Sequence, residues 1–366
     1  VEARAEARIN RPGRNIRFMI IDDAQDRVGH RSKTGQGRIG EDQIRFLLAI
    51  KGRSIKNRDA HDLAEFAGGE MDRVRDADVI VLLGRKQDFV IGFCRPPHVA
   101  ANAKIIQIDP SPLEIGRSRG VDVGMVGDVT SVLEQMTKEA KNYQWKDLPW
   151  LDELRAARAA QAEWAEGLAR PRTPMHALFV HKTLNSMLRP EDCLVFDGGD
   201  FCHFGRSFLP ALRPKRWFNV SSLGMLGSSL PTALAAKVAY PDSRVFLLSG
   251  DGAFGFNGME FDTAVRHKLN IVAMHGNDSA WGIDRQIQLG LYGRSVATDL
   301  RQTRYDQVVQ GLGGYGEFVE RPEDLMPALE RALASDQPAL LNIAVERAIS
   351  PRAEAAIGRR KAAAQK

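Results

Sequence analysis

The sequence predicts an α/β protein built on a doubly wound parallel sheet. Three observations carry that expectation. Continuous aliphatic runs, such as Val79 to Leu83 and Val245 to Leu248, read as strands buried on both faces. Most of these runs are closed by Gly, Asp or Asn, the residues of tight strand-to-helix turns. Helix-length segments alternate with the strand-length runs over the last half of the chain, as βαβ units require.

The elements follow in order. Residues 1–72 hold only short apolar runs, Phe18 to Ile21 and Ile44 to Ile50, and no period of 2 or 3.6 persists; they read as an unassigned basic leader. Val79 to Leu83, Lys104 to Ile108 and Val123 to Val126 read as strands, and Ser131 to Ala140 as a helix. Lys141 to Pro149 is polar and aromatic, Trp150 to Leu168 is an Ala/Arg/Glu-rich helix, and Arg170 to Pro174 breaks the chain. Residues 141–174 therefore read as a linker region, with a boundary near 170. Beyond it, Met175 to Leu188, Ser229 to Ala239, Asn257 to His267 and Asp324 to Ala334 read as helices. Cys193 to Asp197, Val245 to Leu248, Ile271 to His275 and Ala339 to Val345 read as strands. Pro231 falls in a first helical turn, where it is tolerated. Ala353 to Lys366 reads as a basic, frayed tail.

Composition narrows the function classes. The chain has 366 residues, 43% hydrophobic and 27% charged, which excludes disorder and collagen-like or disulfide scaffolds. The net charge of +5 arises at one end: residues 1–60 hold 14 Lys+Arg and 8 Asp+Glu, and the rest 37 and 38. The later part is thus near neutral, which argues against nucleic-acid binding. No apolar run reaches the ~18–20 residues of a membrane span. Three cysteines without a CxxC pair suit reduced thiols and a cytoplasmic setting.

Ligands on doubly wound sheets bind beyond the carboxyl ends of the strands. Gly250-Asp251-Gly252 follows one predicted strand and Asn277-Asp278 the next, bringing two carboxylates and an amide to one edge. Hard oxygen donors suit Mg²⁺, which keeps phosphate and water in its shell. Gly252 and Ala253 offer backbone N–H groups to a phosphate at a helix start. The pattern points to a diphosphate held through a metal.

Ser249-Gly-Asp-Gly-Ala-Phe-Gly-Phe-Asn-Gly-Met-Glu260 followed by Asn277-Asp278 resembles the signature of thiamine diphosphate-dependent enzymes, with Asp251 and Asp278 27 positions apart. Leu223-Gly-Met-Leu-Gly-Ser-Ser-Leu-Pro231 and Ala280-Trp281-Gly282 resemble further segments of that family. The similarity is to its acetolactate synthase-like group, which includes 2-hydroxyacyl-CoA lyases and benzaldehyde lyase. It implies a cofactor-diphosphate-binding domain over 175–346, with residues 347–366 as a tail. Residues 73–140 resemble the later half of the family's Rossmann-like middle domain, so a partial middle domain is expected there.

The resemblance implies roles. Asp251, Asp278 and the Ala280 carbonyl would be the Mg²⁺ ligands. Asp278 stands where the family usually has Asn, which adds a negative charge beside the diphosphate. Gly250, Gly252 and Ala253 would border the phosphates. The Gly224 carbonyl would accept the cofactor's 4′-amino group, and Leu226 would hold the cofactor bent. Some relatives bind FAD or a nucleotide in the middle domain; FAD is possible here but not indicated. The substrate implied is a 2-oxo acid or an acyl-CoA derivative. Family members are oligomers with each cofactor between two subunits, so a homo-oligomer or a partner carrying the pyrimidine-binding domain is expected. No match to that domain, or to its catalytic Glu, is found in this sequence. Two further readings follow: a truncated relative that binds the cofactor and catalyses nothing, and a nucleotide-binding module on residues 73–136.

Four other side chains have competing readings. His275 ends an apolar strand and reads as structural ahead of a general acid. His203 reads equally as a general acid or a packing residue. Trp281 reads as a substrate wall or a packing aromatic, and Arg285 as part of a solvated face ahead of a contact to an acidic substrate.

Overall fold

The computed structural model describes residues 18–22, 74–140, 150–220 and 223–364. Within them the aliphatic runs become two all-parallel sheets, each in its own compact unit; the second unit holds the chain from Ala160 on.

In the first unit the strand order is β1 (Phe18–Asp22), β2 (Val79–Leu83), β3 (Lys104–Asp109), β4 (Val123–Val126). All of β2 is buried, as is β3 from Ile105 onward, as a sheet covered on both faces requires. Ile80, Leu82 and Ile105 pack with Ile91, Val99 and Trp150 on one side. Val81, Ile106 and Ile108 pack on the other with Val129 and Val132 of α1 (Val129–Ala140). The expected unassigned leader is corrected at one point: Phe18–Asp22 pairs in parallel with β2, from Phe18 opposite Val79 to Asp22 opposite Leu83. The rest of that leader, and 141–149 of the expected linker, lie outside the described residues. The helix expected within the linker region is present as α2 (Trp150–Leu168).

The second unit has six strands in the order β6 (Trp217–Asn219), β5 (Cys193–Phe196), β7 (Val245–Gly250), β8 (Val272–Asn277), β10 (Ala339–Ala344), β9 (Tyr315–Val319). The chain steps outward from β5 to β6, then crosses back to β7. This makes β5 and β7 the switch point, where the loops at their carboxyl ends part to leave a crevice. One face of the sheet, with Phe196, Phe246 and Met274, is covered by α3 (Ala177–Asn185), α4 (Asp200–Phe208) and α10 (Pro322–Ala334). Val195, Leu247 and Ala273 of the other face meet α5 (Ser229–Ala239), α7 (Glu260–Arg266) and α9 (Tyr305–Gly311). Two helices remain: α6 (Asp251–Asn257) directly after β7, and α8 (Gly282–Tyr292) shortly after β8.

Three expectations change. The helix expected over Asn257 to His267 is the shorter α7, and a separate helix not expected from the sequence, α6, precedes it. The ring of Phe254 lies over Gly258 at the break, where an added Cβ would meet it at 2.4 Å. The helix expected from Met175 starts at Ala177, because Met175 forms a parallel bridge to Val345 and His176 caps the helix by accepting the Leu178 N–H at 3.0 Å. The expected frayed tail is instead α11 (Pro351–Ala364). Ala353 and Ile357, one turn apart, share a face and are buried, and Ile357 fits against Gly290 of α8. Among the described residues no helix is long and apolar enough to cross a membrane.

Candidate active site: a carboxylate cleft at the sheet switch point

The cleft lies where β5, β7 and β8 end, and its cavity measures about 70 Å³. Asp251 follows β7 directly and heads α6. Its Oδ1 accepts the Gly252 N–H and its Oδ2 the Ala280 N–H, both at 3.0 Å, so one carboxylate ties the ends of β7 and β8 together. Gly252 is required here, since an added Cβ would meet the Trp281 ring at 2.8 Å. Asp278 lies beyond β8, with its carboxylate against Gly282. Ala280 pairs with Asp299 as an isolated bridge; the bonds there use the Trp281 N–H and the Ser279 carbonyl, which leaves the Ala280 carbonyl out of the ladder.

Electrostatics mark the same residues. Burial pushes the Asp251 carboxyl up to about 6. Burial, and then the Asp251 charge, push Asp278 up to about 7. A third carboxylate, Asp200 at the start of α4, is only 6% exposed and is pushed by burial up to about 6. Its Oδ1 accepts the Ser350 N–H at 3.0 Å, and among the described residues its buried Oδ2 has no partner. Carboxylates gathered out of water and raised in pKa are a demand for a cation. Among the described residues no three His, Cys, Asp or Glu side chains are arranged to hold a metal by themselves. A set of two carboxylates and one backbone carbonyl does not need three, and its hard oxygens fit Mg²⁺.

The sequence-derived residues divide. Gly250, Asp251, Gly252, Ala253, Asp278 and Ala280 line one cleft together with Leu226. Gly224 shares the Leu226 loop, is exposed with φ +62°, and does not line the cavity. The Gly252 N–H is bonded to Asp251, so Ala253 holds the freer N–H of the pair. The expected amide contribution fails. The Asn277 side chain turns away, donating to the Thr303 and Asn342 oxygens and accepting from Ser279 N–H.

Trp281 lines the cleft and packs edge-on against Phe256. His275 is fully buried between Phe254 and Tyr305, and burial pushes its pKa down to about 3, so it is a neutral structural residue. His203 faces Arg206 on its own helix and does not line the cavity. Arg285 is paired with Asp299, itself exposed, at 3.0 Å.

Sequence reasoning passed over Asp197 and Asp200. Asp197 accepts the Gly227 N–H with both oxygens at 3.1 Å and the Gly198 N–H at 2.8 Å, which holds the Leu226 loop to the end of β5. Leu226 in turn lies on Gly198, where an added Cβ would come within 2.2 Å of its Cδ2. The signal available was the same one that marked Asp251: acidic residues and glycines clustered where an apolar strand ends.

Fold and cleft define a class, an α/β protein whose sheet switch point is lined by glycines and carboxylates. The comparisons specify it. The family model described as the C-terminal TPP binding domain of thiamine pyrophosphate enzymes matches residues 197–343, and that of their central domain matches 66–136. The chain therefore belongs to the thiamine pyrophosphate enzymes, of which it carries the central and the C-terminal, cofactor-binding domains. A probable acetolactate synthase of Mycobacterium bovis is 36% identical over 316 residues, 85% of this chain and 56% of that protein. Mouse 2-hydroxyacyl-CoA lyase 1 is 31% identical over 291 residues, 75% of this chain and 50% of the relative. Human 2-hydroxyacyl-CoA lyase 2 is 30% identical over 285 residues, 75% of this chain and 45% of the relative. The chain thus spans about half the length of the curated relatives it matches.

Proposed function

We propose that the chain holds thiamine diphosphate through Mg²⁺ at this cleft, and serves carbon–carbon bond formation, lysis or decarboxylation on 2-oxo acids or acyl-CoA derivatives. The observation that carries the reading is that Asp251 and Asp278, at the ends of β7 and β8, line one cleft with Ala280, whose N–H bonds to Asp251. Asp251, Asp278 and the Ala280 carbonyl would hold the metal, and the Ala253 N–H and the glycine-lined wall would meet the diphosphate. Leu226, backed by Gly198 and fixed through Asp197, would support the cofactor's bend. When bound, thiamine diphosphate supplies an electron sink for bonds next to a carbonyl. The residues of this chain bind and orient it and keep water from the buried carboxylates.

Assembly with a second chain belongs to the same reading. Leu223, Met225, Phe256 and Met259 expose large apolar side chains on and near the Leu226 loop, as a surface awaiting a partner does.

Product analysis tests the reaction. The chain is incubated with thiamine diphosphate and Mg²⁺, once with pyruvate and once with a 2-hydroxyacyl-CoA. Acetolactate or released CO₂ marks the synthase-like reaction, and an aldehyde with a short acyl-CoA marks the lyase-like one. Cofactor binding without turnover of either substrate favours the second reading, a cofactor-holding relative that is catalytically silent.

A further inference from the structure

Arg347 lies just beyond β10, outside the segments that resemble the family signature. Its guanidinium makes three bonds. Nε donates to the Asp278 carbonyl at 2.9 Å, Nη2 to the Ser279 carbonyl at 2.8 Å and Nη1 to Asp299 Oδ1 at 2.8 Å. These bonds grip both sides of the short bridge between Ala280 and Asp299. Ser279, in the middle of the gripped loop, holds φ +56°, a left-handed conformation that a serine keeps only where its surroundings fix it. A planar fork that takes two successive carbonyls and a carboxylate is a bonding pattern open to Arg and not to Lys.

The charge count points the same way. Asp299 is shared by Arg347 and Arg285, so two guanidiniums meet one carboxylate, and Arg347 brings its charge to the Asp278 carbonyl. Asp278 is the position where the family's usual residue, Asn, is neutral. Its extra charge shares the cleft with Asp251 and Asp200, and the Arg347 guanidinium is held next to it by the bond to the Asp278 carbonyl.

We infer that Arg347 is a positioning residue of the divalent-cation site: it fixes the Asp278–Ala280 loop by its carbonyls and offsets the charge that Asp278 adds. Arg347 does not touch the metal; it acts through the loop that carries two of the three ligands. This rests on the proposed binding of Mg²⁺ and thiamine diphosphate, and the experiment keeps the two apart.

Mg²⁺ affinity is measured by calorimetry in saturating thiamine diphosphate for the full chain and for Arg347→Gln, Asp278→Asn and the double variant. Circular dichroism checks that each is folded. If the parent chain binds no Mg²⁺, the proposed function fails. If it does bind, Arg347→Gln is expected to weaken Mg²⁺ by about 10- to 100-fold, as loss of a group that orients metal ligands does. In the Asp278→Asn background the same change is expected to cost several-fold less, because the charge to be offset is gone. Should Arg347→Gln fail to fold, Arg347→Lys replaces it. It keeps the charge but not the fork, and is expected to lose affinity to a lesser degree. Affinity within about twofold of the parent in Arg347→Gln, or an equal loss in both backgrounds, overturns the inference.

Discussion

Asp251, at the head of α6, accepts the N–H of Ala280 at 3.0 Å, and this single bond joins the end of β7 to the loop beyond β8. The same carboxylate accepts the Gly252 N–H, so both oxygens are oriented before any ligand arrives. The arrangement has a cost, since a carboxylate held out of water beside Asp278 is disfavoured until a cation joins it.

Asp251→Asn tests that cost. The amide keeps one acceptor oxygen and removes the charge. In EDTA at about pH 8 the variant is expected to be at least as stable to urea as the parent, while Mg²⁺ no longer stabilises it. A variant clearly less stable than the parent without metal shows that the carboxylate is structural and not held ready for a ligand.

The pH dependence carries a sign that can be worked out. Asp200, Asp251 and Asp278 are raised from 3.8 to about 6, 6 and 7. Between the unfolded and folded values the folded chain binds more protons, so these groups lower stability as pH rises through that window. His176, His181 and His275 are lowered from 6.5 to about 4, 4 and 3, chiefly by burial, so they raise stability as pH climbs toward 6.5. The two sets oppose each other, and the metal-free parent should vary little over that range. The difference between Asp251→Asn and the parent isolates the Asp251 charge together with its push on Asp278. Urea midpoints should shift in favour of the variant from about pH 4 to about pH 7 and level off above. A difference independent of pH contradicts the raised Asp251.

Gly198→Ala addresses Leu226. The new methyl would lie 2.2 Å from Leu226 Cδ2, the movable end of a half-buried side chain at an open cleft. Stability should fall by about 1 kcal/mol, the low end of overpacking, while thiamine diphosphate binding weakens because Leu226 has moved. Calorimetry that finds unchanged affinity removes Leu226 from the binding surface.

Gly227→Ala strikes the same loop through its backbone. Gly227 holds φ +80°, and an added Cβ would meet Phe256 Cβ at 2.6 Å. The expected cost is about 1–3 kcal/mol in urea unfolding, and its N–H bonds to Asp197 should be lost with it. A neutral substitution contradicts the described loop.

The strands of both sheets' centres were legible because a parallel strand covered on two faces must be apolar throughout, as Val79–Leu83 and Val245–Leu248 are. The edge strands of the second sheet were not. Trp217–Asn219 is three residues, and Tyr315–Val319 is half-buried and interrupted by Gly316 and Glu317, so neither has a run to detect. The metal-side residues were legible because glycine and aspartate cluster where strands end. Arg347 was not, since nothing in its neighbours along the chain tells that its side chain returns to the Asp278 carbonyl. Asn277 was misread for the converse reason: its place in the motif is at the site, but its amide serves the buried contacts to Asn342 and Thr303.

The most direct measurement of the central claim is calorimetric titration of thiamine diphosphate into the full chain, with Mg²⁺, with EDTA, and with Mg²⁺ for Asp251→Ala. Saturable binding at one site per chain is expected with Mg²⁺, and none under the other two conditions. Equal affinity in EDTA, or in Asp251→Ala, would contradict a cofactor held through a metal on Asp251.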